Sequence, residues 1–308
     1  MGSLRKPRAL HRGDRVAVLA PASPFDPDVF EQGVTELRDI GFEPVFDESV
    51  FQRRGYLAGS ASDRAAALRA AWCDPSIAGI FAARGGYGSA QLLPLLDPAE
   101  AREARKPFVG SSDLTTLIVY LAMCCGSVSF HGPMLVNLAK REDGYDRRSL
   151  LGAVTEPTPL GALQPVGVEA LIKGEARGLL LGGTLTQLLA SLSTPYAFAP
   201  PDGYVLFLDD IGEEPYRVDR MLTQVQQAGW LGRAAAVVCA EFPDCQDDSG
   251  RDARSVVAEL LADFPGPVLF GFPSGHTSGS TLTLPVGVMA SVVTVPRPAL
   301  IIEEAAVE

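Results

Sequence analysis

The chain has 308 residues with 47% hydrophobic content, which allows roughly two domains of ordinary size, each able to bury its own core. Its formal net charge of -11 argues against a phosphate backbone as partner, because such binding depends on clustered Lys and Arg. No apolar run approaches the roughly 20 residues of a membrane helix, and the basic start from Met1 to His11 lacks the apolar segment of a signal peptide, so a cytoplasmic protein with neither nucleic-acid nor membrane partner is expected.

Read in chain order, the first half alternates strand and helix. Residues 15–20 form a predicted strand ending at Pro21, 30–40 a helix closed by Gly41, and 43–46 a second strand. Ser60-Ala61-Ser62-Asp63 opens an alanine-rich helix to about Cys73. Residues 78–83 are a strand running into Arg84-Gly85-Gly86-Tyr87-Gly88, followed by a helix near 90–95 and a strand at Phe108. That strand breaks at Gly110-Ser111-Ser112-Asp113. A helix over 114–123 then leads to a short strand at 128–130 and to His131-Gly132-Pro133-Met134. Strands separated by helices of this length imply right-handed crossovers and a parallel sheet. The reading is a Rossmann- or flavodoxin-like α/β domain over 1–140, with its glycine and serine loops at the carboxyl edge of the sheet, where open α/β folds place their sites.

Between 141 and 168 the pattern dissolves into charges and then Pro157, Pro159, Gly161 and Pro165, the composition of a linker. Strands are predicted at 177–181, 204–208, 235–240 and 267–270, with helices between and short β segments over 282–302. A C-terminal α/β domain with a β-rich end over 169–308 fits this pattern. The five cysteines, Cys73, Cys124, Cys125, Cys239 and Cys245, are odd in number and lack any Cys-x-x-Cys or Cys/His grouping. Reduced, mostly buried thiols and no metal site are expected.

A serine at the sharp turn from strand to helix is presented to solvent with the next backbone N–H groups pointing at it, as nucleophilic catalysis requires. Ser112 or Asp113 would serve equally as an ordinary cap of the following helix. The catalytic reading therefore needs a base and an acid elsewhere. Of the three histidines, His11 lies in the basic leader and His131 ends an apolar strand, the setting of a hydrogen-bonded structural residue. His276 sits in a polar, glycine-rich loop over 271–280, where an imidazole stays accessible. For the acid, the strand 204–208 ends in Asp209-Asp210, with Glu213-Glu214 following. Four such carboxylates suit a solvated helix N-terminus stabilised by the macrodipole. Asp209, however, follows its strand directly and so lies at the same kind of edge as Ser112. The 84–88 turn lacks Gly-x-Gly-x-x-Gly spacing, Gln91 holding the place of the third glycine, and no cofactor is expected. Its bare backbone suits an N–H donor to an oxyanion.

Four segments together resemble the LD-carboxypeptidase family of serine peptidases, which includes murein tetrapeptide carboxypeptidases and microcin C immunity peptidases. They are Arg84-Gly85-Gly86-Tyr87-Gly88, Gly110-Ser111-Ser112-Asp113-Leu114-Thr115, Leu208-Asp209-Asp210 through Tyr216-Arg217-Val218-Asp219-Arg220, and Gly275-His276 through Leu284-Pro285-Val286-Gly287. Gly13-Asp14-Arg15-Val16, Ala20-Pro21-Ala22-Ser23, His131-Gly132-Pro133-Met134 and Leu181-Gly182-Gly183-Thr184-Leu185 support it. The likeness runs in order from about Gly13 to Gly287.

The resemblance implies a homodimeric, metal-independent serine carboxypeptidase with Ser112, rather than Ser111, as nucleophile, His276 as base and a strand-end acid. It also implies an oxyanion hole from the N–H groups of Gly86 and Asp113. The family usually has Glu-Asp after the strand. The matching acid here is Asp209, one methylene shorter, which needs a small backbone shift or hands the role to Glu213. Thr184 and Ser280 stand where the family often has asparagine. Arg84 is assigned, on charge alone, to the substrate's free carboxylate. The substrate implied is a muropeptide cut at an L,D-peptide bond to release a terminal D-amino acid, as in murein recycling. One alternative is an acyl or peptidyl nucleotide, as in microcin C immunity, for which the 141–168 stretch offers only Tyr145 to stack a base. Another is a binding protein of the same fold in which the shorter acid disables turnover.

Overall fold

The computed structural model describes residues 4–308; residues 1–3, the start of the basic leader, lie outside the described residues. The first half runs β1 (Arg15–Leu19), α1 (Pro27–Asp39), β2 (Glu43–Val45), α2 (Ala61–Cys73), β3 (Gly79–Ala82), α3 (Pro98–Ala104), β4 (Phe108–Gly110), α4 (Thr115–Met123), β5 (Ser129–His131) and α5 (Leu135–Leu138). Local chemistry decides the ends of these elements. Asp26 accepts from the Asp28 N–H and Pro27 takes the first helical position, so α1 starts earlier than its apolar periodicity indicates. Ser60 accepts from the Asp63 N–H at 3.1 Å and opens α2. The helix expected near 90–95 is instead a tighter 3-10 turn over Ser89–Leu95 with Pro94 inside, where the missing N–H cannot support a longer α-helical ladder.

The second half runs α6 (Arg147–Thr155), β6 (Gly161–Leu163), β7 (Glu169–Ile172), β8 (Glu175–Thr184), α7 (Leu185–Ala190), β9 (Tyr204–Asp209), α8 (Pro215–Gln227), α9 (Trp230–Arg233), β10 (Ala234–Ala240), α10 (Ala253–Leu260), β11 (Val268–Phe272), β12 (Leu284–Val286), β13 (Met289–Val293) and β14 (Ala299–Ile302). The 141–168 stretch, read above as a linker, therefore carries α6 and β6. Asp146 caps α6 by accepting from the Ser149 N–H at 2.6 Å, and β6 pairs antiparallel with β14.

Two sheets result. The first has the order β12-β5-β4-β3-β1-β2, parallel from β2 to β5. The second, β6-β14-β13-β8-β9-β10-β11-β7, has four parallel strands, β8 to β11, at its centre and antiparallel pairs on both flanks. The protein is thus a mixed α/β molecule with a parallel-sheet first half and a second, β-rich half. One strand ignores this division: β12 returns from the second half and pairs antiparallel with β5, Leu284 opposite His131. Residues 273–283 therefore cross from the end of β11 in one sheet to β12 in the other.

Fully buried Phe81, Phe108, Phe130, Phe207 and Phe272 come from strands of both sheets, each ring burying enough apolar surface to stabilise the fold by roughly 1.5–3 kcal/mol. The Tyr120 ring of α4 lies 6.1 Å from Tyr196 of the second half, so the core runs across the junction. All five cysteines are free, with Cys125, Cys239 and Cys245 buried and Cys73 and Cys124 exposed. No helix among the described residues is long and apolar enough to cross a membrane.

Candidate active site

The serine corner is built by backbone first. β4 ends at Gly110, Ser111 is extended, and Ser112 takes a φ of +62°, a left-handed conformation uncommon for any residue with a Cβ. Such strain is kept where the surrounding structure over-determines it. Neither Ser111 nor Leu114, the residues at the caps of the two successive turns, makes a side-chain capping bond. The Ser112 hydroxyl points elsewhere, to the His276 Nε2 at 3.2 Å.

The loop after β3 packs directly on this corner. A Cβ on Gly85 would lie 2.8 Å from the Ser112 Cβ and 3.1 Å from its Oγ, so only a bare Cα allows the approach. Asp113 ties the two loops together: its carboxylate accepts from the Ser89 N–H at 2.8 Å and its carbonyl from the Ser89 hydroxyl at 2.7 Å. Its side chain is thereby occupied in structure. The N–H groups of Gly86 and Asp113 donate to no protein acceptor among the described residues. Ser23, in the loop following β1, accepts from the Tyr87 N–H at 3.0 Å and donates its own N–H to the Gly85 carbonyl at 3.1 Å. Three successive carboxyl ends of the first sheet thus converge.

The second sheet supplies the rest from its own carboxyl edge. Asp209, the last residue of β9, is fully buried. Its Oδ2 accepts from His276 Nδ1 at 2.9 Å and from the Thr184 hydroxyl at 3.1 Å, while its Oδ1 accepts from the His276 N–H at 2.9 Å. The shorter acid reaches because the loop comes to it. Gly275, at φ +82°, lies so close that a Cβ there would sit 2.5 Å from the carboxylate carbon. Burial works against a charged imidazole, but the Asp209 hydrogen bond and the charges of Asp209 and Asp210 outweigh it and hold His276 above the ordinary histidine value. The neighbouring Asp210 is buried as well and accepts from Thr186 N–H and hydroxyl at 2.9 and 2.7 Å.

The remaining expected residues fall around this cluster. Glu213, the other possible acid, faces Arg217 at 3.6 Å; the carboxylate on His276 is Asp209. Exposed Arg84, between β3 and Gly85, donates one guanidinium N–H to the Pro24 carbonyl at 2.8 Å. His11 is exposed, and His131 is fully buried beside Asp209. Several contributors have no role assigned from the sequence. Thr115 Oγ1 accepts from the Thr184 N–H at 3.0 Å and joins the two halves. Thr281 Oγ1 accepts from the Gly275 N–H at 3.0 Å, and Glu241 accepts from the Ser278 N–H at 2.8 Å. Both bonds hold the crossing loop.

A serine, an imidazole and a buried carboxylate in this order form a chain along which a proton can pass from hydroxyl to ring while the acid steadies the ring. Comparison with known proteins gives the family. The LD-carboxypeptidase N-terminal domain matches residues 16–132 and the LD-carboxypeptidase C-terminal domain matches residues 177–292.

The chain belongs to the LD-carboxypeptidase family.

As a family member it is a serine-type carboxypeptidase. It is 38% identical over 310 residues, covering 97% of this chain and 99% of the relative, to a Streptomyces coelicolor protein whose carboxypeptidase name is itself provisional. It is 31% identical to the murein tetrapeptide carboxypeptidase of Pseudomonas aeruginosa over 270 residues, 85% of this chain and 88% of that one. Among solved structures, the microcin self-immunity protein MccF superposes with a TM-score of 0.88, covering 98% of this LD-carboxypeptidase chain and 99% of that chain at 22% identity. That likeness is one of fold.

Proposed function

We propose that this carboxypeptidase hydrolyses an L,D-peptide bond of a muropeptide and releases the terminal D-amino acid. The observation that carries the reading is the unbroken contact from Ser112 Oγ through His276 to buried Asp209, at 3.2 and 2.9 Å. His276 takes the hydroxyl proton as Ser112 Oγ bonds to the scissile carbonyl carbon. The negative charge on the tetrahedral oxygen falls to the N–H groups of Gly86 and Asp113, each such donor being worth roughly 3 kcal/mol in comparable sites. The C–N bond then breaks, His276 returns the proton to the departing amine, and an acyl ester remains on Ser112. Water, deprotonated by the same imidazole, releases the ester. Asp209 holds the ring tautomer with its proton on Nδ1 throughout. Arg84, exposed and with guanidinium N–H groups beyond the one on Pro24, is assigned to the substrate's free carboxylate.

The name of the Pseudomonas aeruginosa relative, a murein tetrapeptide carboxypeptidase, favours the muropeptide over an acyl nucleotide. The setting proposed is cytoplasmic recycling by a homodimer, where exposed thiols such as Cys73 and Cys124 stay reduced. The test is incubation with a murein tetrapeptide and measurement of free D-alanine. Release by the native enzyme, reduced by several orders of magnitude in Ser112→Ala, is the expected result. Tight tetrapeptide binding without release points to the binding-protein alternative, and turnover only of a peptidyl nucleotide points to the other.

A further inference from the structure

His131 is a buried titratable group that the mechanism above leaves unused. It ends β5, is fully buried, and its Nε2 has no hydrogen-bond partner among the described residues. That atom lies 4.0 Å from the Asp209 Oδ2. On the ring's other side, Nδ1 is 3.4 Å from the Ser274 hydroxyl, and Phe207 meets the ring edge-on at a centroid distance of 5.1 Å. The titratable groups facing it are Asp209 from β9 and His276 from the crossing loop. Its pairing neighbours on the flanking strands, Gly110 and Leu284, carry none.

An accounting of the Asp209 carboxylate shows what this placement does. Its two oxygens offer about four lone-pair directions. Three are taken, by the His276 N–H, the His276 ring and the Thr184 hydroxyl. His131 Nε2 comes nearest to Oδ2, which already holds the His276 ring and the Thr184 hydroxyl, so it acts on the charge through space and not as a further donor. A ring lone pair aimed at a buried anion across 4.0 Å is repelled, and an N–H there is attracted, with little solvent to screen either. The carboxylate therefore selects the tautomer with the proton on Nε2; the Ser274 hydroxyl, which donates to the Leu282 carbonyl at 2.9 Å, stands 3.4 Å from Nδ1, too long for a bond strong enough to reverse that choice.

We propose that His131 is a positioning residue for Asp209, a neutral imidazole whose Nε2–H dipole steadies the buried carboxylate without competing for the bond to His276. The 4.0 Å separation is too long for a hydrogen bond, so the contact leaves both Asp209 oxygens with their existing donors. Burial pushes the His131 pKa down to about 4 despite the pull of Asp209, which keeps the ring neutral where His276 works as a base.

This inference rests on the triad reading above, and the experiment separates the two. The acid limb of kcat/KM against pH is measured, with tetrapeptide as substrate, for native enzyme, His131→Phe, His131→Asn and His131→Gln, with Asp209→Asn as control. Phe and Asn both leave the Nε2 position without an N–H, and Asn provides a second variant where Phe packs poorly. Without the dipole, the Asp209 charge is answered more fully by His276, so the limb moves up by about half a pH unit or more. Gln, whose side-chain amide reaches about as far as Nε2, returns it toward the native position. A purely structural role would lower thermal stability and leave the limb in place. An unmoved or lowered limb in both Phe and Asn variants, or a Gln variant no nearer native than they are, overturns the proposal. If Asp209→Asn keeps full activity, it is the triad reading that has failed.

Discussion

Ser112 is held in a left-handed conformation with its hydroxyl on an imidazole, and that imidazole on a carboxylate with no solvent exposure. The raised pKa of His276 has two consequences of opposite sign. In its proposed role as base the ring must be neutral, so kcat/KM is expected to fall as pH drops through a midpoint above the ordinary value of 6.5. Protonation, by contrast, favours the folded state: the stabilisation from this ring is complete below the unfolded value near 6.5 and is lost as pH rises through the higher folded one. Rate and denaturation profiles recorded over the same pH range should therefore slope in opposite directions, after subtraction of other titrating groups. Asp209→Asn, which cannot hold the Nδ1–H tautomer as a carboxylate does, should lower kcat about 10⁴-fold, measured on the tetrapeptide.

Each of these side chains stands where a parallel strand gives way to a loop. β3 leads to the glycine turn, β4 to Ser112, β8 to Thr184, β9 to Asp209 and β11 to the His276 loop. Gly275 shows how tight the last of these is, since its φ is +82° and a Cβ would stand 2.5 Å from the Asp209 carboxylate carbon. Gly275→Ala should push the loop from Asp209, lowering kcat by at least about tenfold and stability by roughly 1–2 kcal/mol. Steady-state kinetics beside urea unfolding of the same variant checks both. The junctions were legible in advance because a buried parallel strand reads as a short apolar run and the residues after it change character abruptly. Thr184 lies in a segment that supports the resemblance and departs from the family's asparagine, but its hydroxyl on Asp209 depends on β8 lying beside β9.

At the scale of the molecule, the crossing of residues 273–283 from β11 to β12 makes one site out of two sheets. A buried cluster steadies that crossing from the far side. Glu36 of α1, fully buried, accepts from the Tyr145 hydroxyl at 2.5 Å and from Arg147, and Arg141 adds an ion pair at 3.0 Å. Tyr145 forms a β-bridge with Thr281, and the Asp146 N–H donates to the Thr281 carbonyl at 2.9 Å. Thr281 in turn holds Gly275. Tyr145→Phe removes one donor from a buried carboxylate and should lower unfolding stability by about 1–3 kcal/mol. The backbone contacts to Thr281 persist in that variant, so kcat is expected to stay within about threefold, as paired unfolding and activity measurements would show.

The amino-acid sequence by itself determined the alternation of strand and helix, the serine corner, the glycine turn and the family, because each is written in a short contiguous stretch where periodicity, turn chemistry and motif order act locally. Setting Asp209 and not Glu213 against His276, placing α6 and β6 within a proline-rich stretch, sending β12 back to the first sheet and standing His131 beside Asp209 were settled only by tertiary structure. Strand order and the meeting of residues as far apart as Ser112, Asp209 and His276 depend on how buried faces pack together, and no local stretch of sequence contains that information.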